Sequence, residues 1–256
     1  MPTVARLNVT PVKSTGLDHP DRIVIEPRGA LGNREFVFIQ DDGERLSGIS
    51  KAPLMGIHSS YDPDSDHLAL LLPDGRIIEG SAQPTGPILD VTFYGGVVHP
   101  VRVLAPELAG AASGLVSRPL RLARLVDPAT HTIGDPVSLL SGDSVRTVAD
   151  RAGLDGIDAR RFRMLIEIEG TQPFEEESWS GMTLGVGDAE LLVTRPVSRC
   201  VMTTMHPDTG AQDVPVLDLL AQHKGRGADG KLNIGVYADV VRPGTVRVGD
   251  RVTVRP

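Results

Sequence analysis

Gly181-Met182-Thr183-Leu184-Gly185-Val186-Gly187-Asp188-Ala189-Glu190-Leu191-Leu192-Val193 is the stretch on which the fold reading turns. Alternating residues flank Gly187-Asp188 on both sides, the pattern of two strands joined by a tight turn. Gly244-Thr245-Val246-Arg247-Val248-Gly249-Asp250-Arg251-Val252-Thr253-Val254 repeats it near the C-terminus. Two hairpins of this kind in one half of a chain predict a small, closed antiparallel barrel. Both read as scaffold, because Gly-Asp turns are ordinary hairpin chemistry.

Upstream, Val4–Val9, Arg22–Glu26, Glu35–Gln40, His67–Leu72 and Arg76–Glu79 are short β-like runs bounded by turn residues. Pro73-Asp74-Gly75 marks a hairpin turn between the last two. Helical composition is found at Glu107–Val116, from about Asp143 to Ala152, and from Pro215 to His223. Asp143 or Ser144 is placed to cap the second helix and Gly153 to stop it. The expected fold class is α+β and mostly β: strands, a few short helices, and a change of organisation near the first helix.

The 256 residues are 40% hydrophobic and 23% charged, ordinary for a soluble globular chain. A net charge of -7 argues against a general nucleic-acid or anionic-membrane surface. No run approaches the roughly 18 apolar residues of a membrane span, and Met1–Val9 reads as a strand without a signal-peptide apolar core. The expectation is a cytoplasmic protein. A single cysteine leaves no intramolecular disulfide and no cysteine-ligated iron–sulfur cluster. The seven histidines are scattered without zinc-like spacing.

That cysteine lies in Arg195-Pro196-Val197-Ser198-Arg199-Cys200-Val201-Met202-Thr203-Thr204-Met205-His206-Pro207-Asp208-Thr209-Gly210. An unpaired cysteine is most often a buried small hydrophobe. Two features favour a reactive thiol instead: Arg199 beside it favours the thiolate, and its neighbours are small or polar rather than a run of core aliphatics.

Several motifs stand in a fixed order along the chain: Pro11-Val12-Lys13-Ser14, Gly32-Asn33-Arg34-Glu35, Phe162-Arg163, Gly185-Val186-Gly187-Asp188, Ser198-Arg199-Cys200, Ile234-Gly235-Val236-Tyr237-Ala238 and Val248-Gly249-Asp250. Together they resemble the MOSC family, named for the molybdenum cofactor sulfurase C-terminal domain, in its amidoxime-reducing-component-like branch. The resemblance covers nearly the whole chain. It implies a MOSC-type antiparallel β-barrel over residues 111–256, preceded at 1–110 by the strand-rich N-terminal MOSC region.

The resemblance also implies a site. Cys200 is the expected protein ligand to molybdenum, hence both the metal ligand and the catalytic residue; a soft thiolate suits a metal already held by a dithiolene. Lys13, Ser14, Arg34, Arg163, Ser144 and Arg199 are the expected contacts to the phosphate and pterin of the molybdenum cofactor (Mo-molybdopterin). Ser144 belongs to the polar Ser141–Ser144 start of a helix that contacts the cofactor in relatives. Read without the family, Lys13, Arg34 and Arg163 are solvated charges or surface ion pairs, and Ser144 is a helix cap. Arg199 has the alternative of pairing with an acidic neighbour to hold the loop, and His206 that of lining the pocket. The chain departs from the family where Met164-Leu165 follows Phe162-Arg163 in place of proline and asparagine. Lys51 stands where related N-terminal regions commonly carry arginine.

The implied activity is a molybdenum-dependent oxidoreductase that reduces small N- or S-oxygenated substrates of the hydroxylamine or amidoxime type. Its partners are the small-molecule substrate and a separate electron donor: a reductase, a ferredoxin or a b-type cytochrome. The alternatives are a non-catalytic cofactor carrier, a sulfur-transfer protein working through a Cys200 persulfide, or a metal-free small-molecule enzyme on the same fold. The family is also associated, at family level only, with pyridoxal phosphate binding.

Overall fold

The structure is a computed structural model and describes residues 1–41, 46, 48–92, 98–126 and 136–255. Its largest unit is a seven-stranded sheet in the order Thr3–Leu7, Ile166–Glu169, Val137–Ser141, Asn233–Arg242, Ala189–Ser198, Thr183–Val186, Val252–Arg255. Alternation puts Leu184, Val186, Leu191, Val193, Val236 and Val252 on one buried face, together with Val137, Leu139, Ile166 and Ile168. Each of these is at most 1% exposed, so the sheet curls around a dry core.

The expected closed antiparallel barrel is corrected to a curled half-barrel sheet. Its edge strands meet through a single bridge, Thr3↔Arg251, and short backbone bonds such as Val4 N–H to Asp250 O at 2.8 Å. One pair, Val137–Ser141 with Ile166–Glu169, is parallel. A parallel pair needs a crossover, which a helix supplies here. The three α-helices are α1 (Glu107–Val116), α2 (Gly142–Arg151) and α3 (Val216–His223), and α2 makes that crossover.

The two look-alike segments part company. Gly187-Asp188 joins paired strands, Val186 opposite Ala189. Gly244–Arg247 and Val252–Arg255 do not pair with each other. The first joins Arg22–Glu26, and the second joins Thr183–Val186. At the turn between them Asp250 Oδ2 accepts the Arg247 N–H, while Val4 takes the outward-facing backbone groups of Gly249 and Asp250.

The other strands form a five-stranded sheet, ordered Val12–Lys13, Phe36–Gln40, Leu120–Leu125, Val98–Val103, Ile88–Thr92, and two three-stranded sheets. In one of these, the strand after the Pro73–Gly75 turn is Ile77–Ser81. A second apolar cluster under α1 includes Phe36, Phe38, Leu54, Leu68, Leu70 and Leu122. Sheet membership crosses residue 110: Thr3–Leu7 joins the C-terminal sheet, and Leu120–Leu125 pairs with Phe36–Gln40. Among the described residues no helix is long and apolar enough to cross a membrane.

Candidate functional site

A cavity of about 220 Å³ is lined by residues of the N-terminal turns, of the 159–165 segment and of the chain around Cys200. Lys13, Ser14, Arg34, Arg163, Arg199 and Cys200 all line it, brought together from four separate stretches of sequence. Each of those stretches bends sharply, and the cause of each bend is visible.

Lys13 and Ser14 sit at a turn held by three buried hydroxyls. Thr10 Oγ1 and Thr15 Oγ1 both donate to Val12 O, at 2.9 and 2.8 Å, and Thr15 Oγ1 lies 2.9 Å from Ser59 Oγ. Ser14 is thereby forced to φ 77. Arg34 follows the Gly32-Asn33 turn, where Asn33 Oδ1 accepts the Thr10 N–H and the Arg34 N–H reaches Thr10 O. Its φ is 56. Arg163 ends the 3₁₀ helix Ala159–Phe162 as a left-handed C-cap at φ 53. Three non-glycine residues in the left-handed region thus share one wall. Such conformations cost about 1–3 kcal/mol each and persist where the surroundings over-determine them.

Cys200 leaves the long strand Ala189–Ser198 just past a register shift between Pro196 and Ser198, and starts the 3₁₀ turn Val201–Thr204. The two threonines of the motif lock that turn: Thr203 Oγ1 donates to Cys200 O at 3.0 Å and Thr204 Oγ1 to Val201 O at 2.7 Å. The thiol is exposed at the cavity. A glycine fixes the far end of this loop. A Cβ on Gly210, which has φ +71, would overlap Ala52 O in the segment that carries Lys51.

The arginines are anchored by backbone carbonyls. Arg34 donates to Arg163 O at 2.8 Å, and Arg163 donates to Thr15 O at 2.6 Å. Arg199 donates to Ile234 O, to Phe162 O and to Met164 Sδ, and lies over the Phe162 ring. Of the two roles foreseen for Arg199, loop-holding is therefore met through carbonyls. Carbonyls orient a guanidinium without cancelling its charge. Burial accordingly pulls Arg34 below the ordinary arginine range and Arg199 to about 10. Arg163 falls to about 9 through burial and then through the like charge of Arg34. Arg163 Nη1 is buried with no hydrogen-bond partner.

Ser144 is not part of this cavity, and that assignment is corrected. It is fully buried under α2, donating to Glu176 Oε2 at 2.8 Å and accepting the Phe174 N–H at 2.7 Å. The cap of α2 is Ser141, which accepts the Asp143 N–H. His206 is not among the cavity-lining residues either; its Nδ1 accepts the Asp208 N–H inside the loop. Sequence reasoning assigned no site role to Asn33, Lys51, Ser138, Arg161, Met202, Thr203 or Tyr237, all of which line the cavity. Tyr237 lies inside the Ile234–Ala238 motif, and Lys51 stands where related N-terminal regions commonly carry arginine; position in the sequence is the signal that points to them. Met164, the departure after Phe162-Arg163, also lines the cavity and gives Arg199 its sulfur contact.

Lys13, Arg34, Lys51, Arg161, Arg163 and Arg199 put six basic side chains on a lining that, among the described residues, includes no carboxylate, although Arg161 is itself paired with Asp213. In a chain of net charge -7 this is a local inversion, a cationic cleft with one thiol on its lining. Residues 127–253 match the family model for the MOSC domain. The chain is 26% identical to mitochondrial amidoxime-reducing component 1 of Mus musculus, over 98% of this chain and 81% of that protein. It is 29% identical to mitochondrial amidoxime reducing component 2 of Bos taurus, over 98% and 82% respectively. A molybdenum cofactor sulfurase of Caenorhabditis briggsae aligns over 93% of this chain at 25% identity, using 33% of its own length. The chain carries a MOSC domain over residues 127–253.

Proposed function

We propose that this protein binds a molybdenum–pterin cofactor in the Cys200 cleft and reduces small N- or S-oxygenated compounds of the hydroxylamine or amidoxime type. The observation that carries the reading is an exposed thiol, the chain's only one, set on a wall of six basic side chains. The donor set fits the group. Among the described residues no three His, Cys, Asp or Glu side chains gather to hold a bare ion, so a metal at Cys200 has to arrive with ligands of its own. A dithiolene-bearing pterin brings them, and a thiolate is the soft donor such a metal accepts. The pterin's phosphate needs charge-assisted donors in fixed positions. Arg34, Arg163 and Arg199 offer these, and the unpartnered Arg163 Nη1 is a donor short of an acceptor.

In this reading Cys200 holds the metal, while Lys13, Ser14, Arg34, Arg163 and Arg199 hold the phosphate and pterin. When bound, the molybdenum centre supplies two-electron oxygen-atom exchange. The chain supplies orientation: carbonyl anchoring keeps each guanidinium from turning toward solvent, and the exposed position of Cys200 leaves the cleft mouth open to a small substrate. One cysteine in 256 residues cannot ligate an iron–sulfur cluster, so the electrons come from a separate reductase, ferredoxin or b-type cytochrome.

The test is purification from a host that makes the cofactor, followed by metal and pterin analysis and by amidoxime reduction with a chemical reductant. The expected result is near-stoichiometric molybdenum and turnover. Molybdenum without turnover would leave a carrier, and an empty protein that also refuses the free cofactor would reject the reading.

A further inference from the structure

The consecutive arginines Arg160 and Arg161 reach from the 3₁₀ helix Ala159–Phe162 to two points on the chain after Cys200. Arg160 forks onto Asp208, with Nη1 and Nη2 at 2.7 and 3.0 Å from its two oxygens, and also onto Asp158. Arg161 forks onto Asp213 at 2.7 and 2.8 Å, and its Nη1 lies 3.4 Å from Thr204 O. The segment so held starts at the Cys200 turn, runs through His206–Gly210, and returns by the Met205↔Gln212 bridge. Phe162, on the same short helix, receives Arg199 from the other side of the cysteine. Cys200 therefore lies between Arg199 and Thr204, both anchored to one five-residue stretch, 159–163.

We infer that Arg161 and Asp213 are a positioning pair that holds the Cys200 thiol against the cationic wall, with Arg160–Asp208 as a weaker brace. The inference rests on the role given to Cys200 above. A forked pair fixes rotation as well as distance. Arg161 is 5% exposed, so its pair is little screened, whereas the Arg160–Asp208 pair stands nearer solvent. Without these ties the loop would sample many backbone states, each placing the sulfur differently.

Because Cys200 is the only cysteine, alkylation of the cofactor-free protein reads its surroundings directly. Anionic iodoacetate and neutral iodoacetamide differ in little but charge, so the ratio of their rates reports how closely the thiol faces the cations. In the Asp213→Asn protein we expect that ratio to fall about threefold or more, as the thiol leaves the focused field. Removing a negative charge acts in the opposite direction through the field alone, so a simple electrostatic effect would raise the ratio. Asp213→Glu, which keeps the carboxylate, should recover most of the wild-type ratio. Asp208→Asn should give a smaller fall, and it decides the matter if Asp213→Asn does not fold. An unchanged or higher ratio in the folded variant overturns the positioning role. A wild-type protein that never takes up molybdenum would reject the proposed function and leave the labelling result standing.

Discussion

Two sets of arginines meet at residues 160–163 and have opposite surroundings. Arg160 and Arg161 face carboxylates, and the hydrogen bonds Arg160 donates to Asp158 and then to Asp208 hold it firmly charged. Arg34, Arg163 and Arg199 face carbonyls, and among the described residues none of the three is ion-paired; all are pulled below the usual arginine range by burial. The first set spends its charge inside the fold. The second carries charge that no carboxylate among the described residues neutralises. The identity of the partner atom separates a structural cation from a binding one, and composition or position in a motif does not.

The comparison is broken most easily by exchanging the roles. Arg163→Gln should lower cofactor retention on the order of a hundredfold, the loss expected for one charge-assisted bond to phosphate, read as molybdenum per chain after gel filtration. Its urea midpoint should hardly move. Arg161→Gln should invert this order. It should cost about 2 kcal/mol of stability, below the value for a fully buried pair because Asp213 is 36% exposed, and should lower retention less than Arg163→Gln does, through the displaced Cys200 loop. If Arg161→Gln empties the site while Arg163→Gln only unfolds the protein, the distinction is wrong. Ser144→Ala sharpens it from outside the cavity. It should cost about 1–2 kcal/mol by removing the partner of Glu176 Oε2 and of the Phe174 N–H, with no change in retention.

The smallest effect concerns pH. Burial raises the Glu176 carboxyl to about 7, against hydrogen bonds from Ser144 and the Ser141 N–H that favour its charged form. A carboxyl with its folded pKa above the unfolded value binds its proton more tightly when folded. Its contribution is therefore complete below the unfolded value and is lost as pH rises through about 7. Unfolding free energies from urea titrations should fall, from acid to mildly alkaline pH, by on the order of 1 kcal/mol more in the wild type than in Glu176→Gln. Taking the difference removes His19, whose value is lowered first by burial and which tilts the profile the other way.

Much of this molecule can be read from its residues. The Gly187-Asp188 hairpin, the Glu107–Val116 helix and the Pro73–Gly75 turn follow from local pattern because their partners are local. The Gly244–Val254 segment misled because its alternation is compatible with any strand neighbour, and the neighbours it takes, Arg22–Glu26 and Thr183–Val186, are distant in sequence. Family resemblance brought Lys13, Ser14, Arg34, Arg163, Arg199 and Cys200 to one cavity, while its placement of Ser144 failed. At a helix start a serine serves equally well as cap, ligand contact or carboxylate donor, and only Glu176, 32 residues away, decides which. The arginine–aspartate forks were invisible for the same reason. Charge alone does not say which aspartate an arginine meets.

The most direct test of the central claim is molybdenum content per chain in Cys200→Ser beside the wild type, both made in a cofactor-producing host and both checked for an unchanged melting temperature. The exposed thiol carries little of the fold, so melting should be preserved while molybdenum falls to background and amidoxime reduction with it. A Cys200→Ser protein with full molybdenum and full turnover would contradict the account.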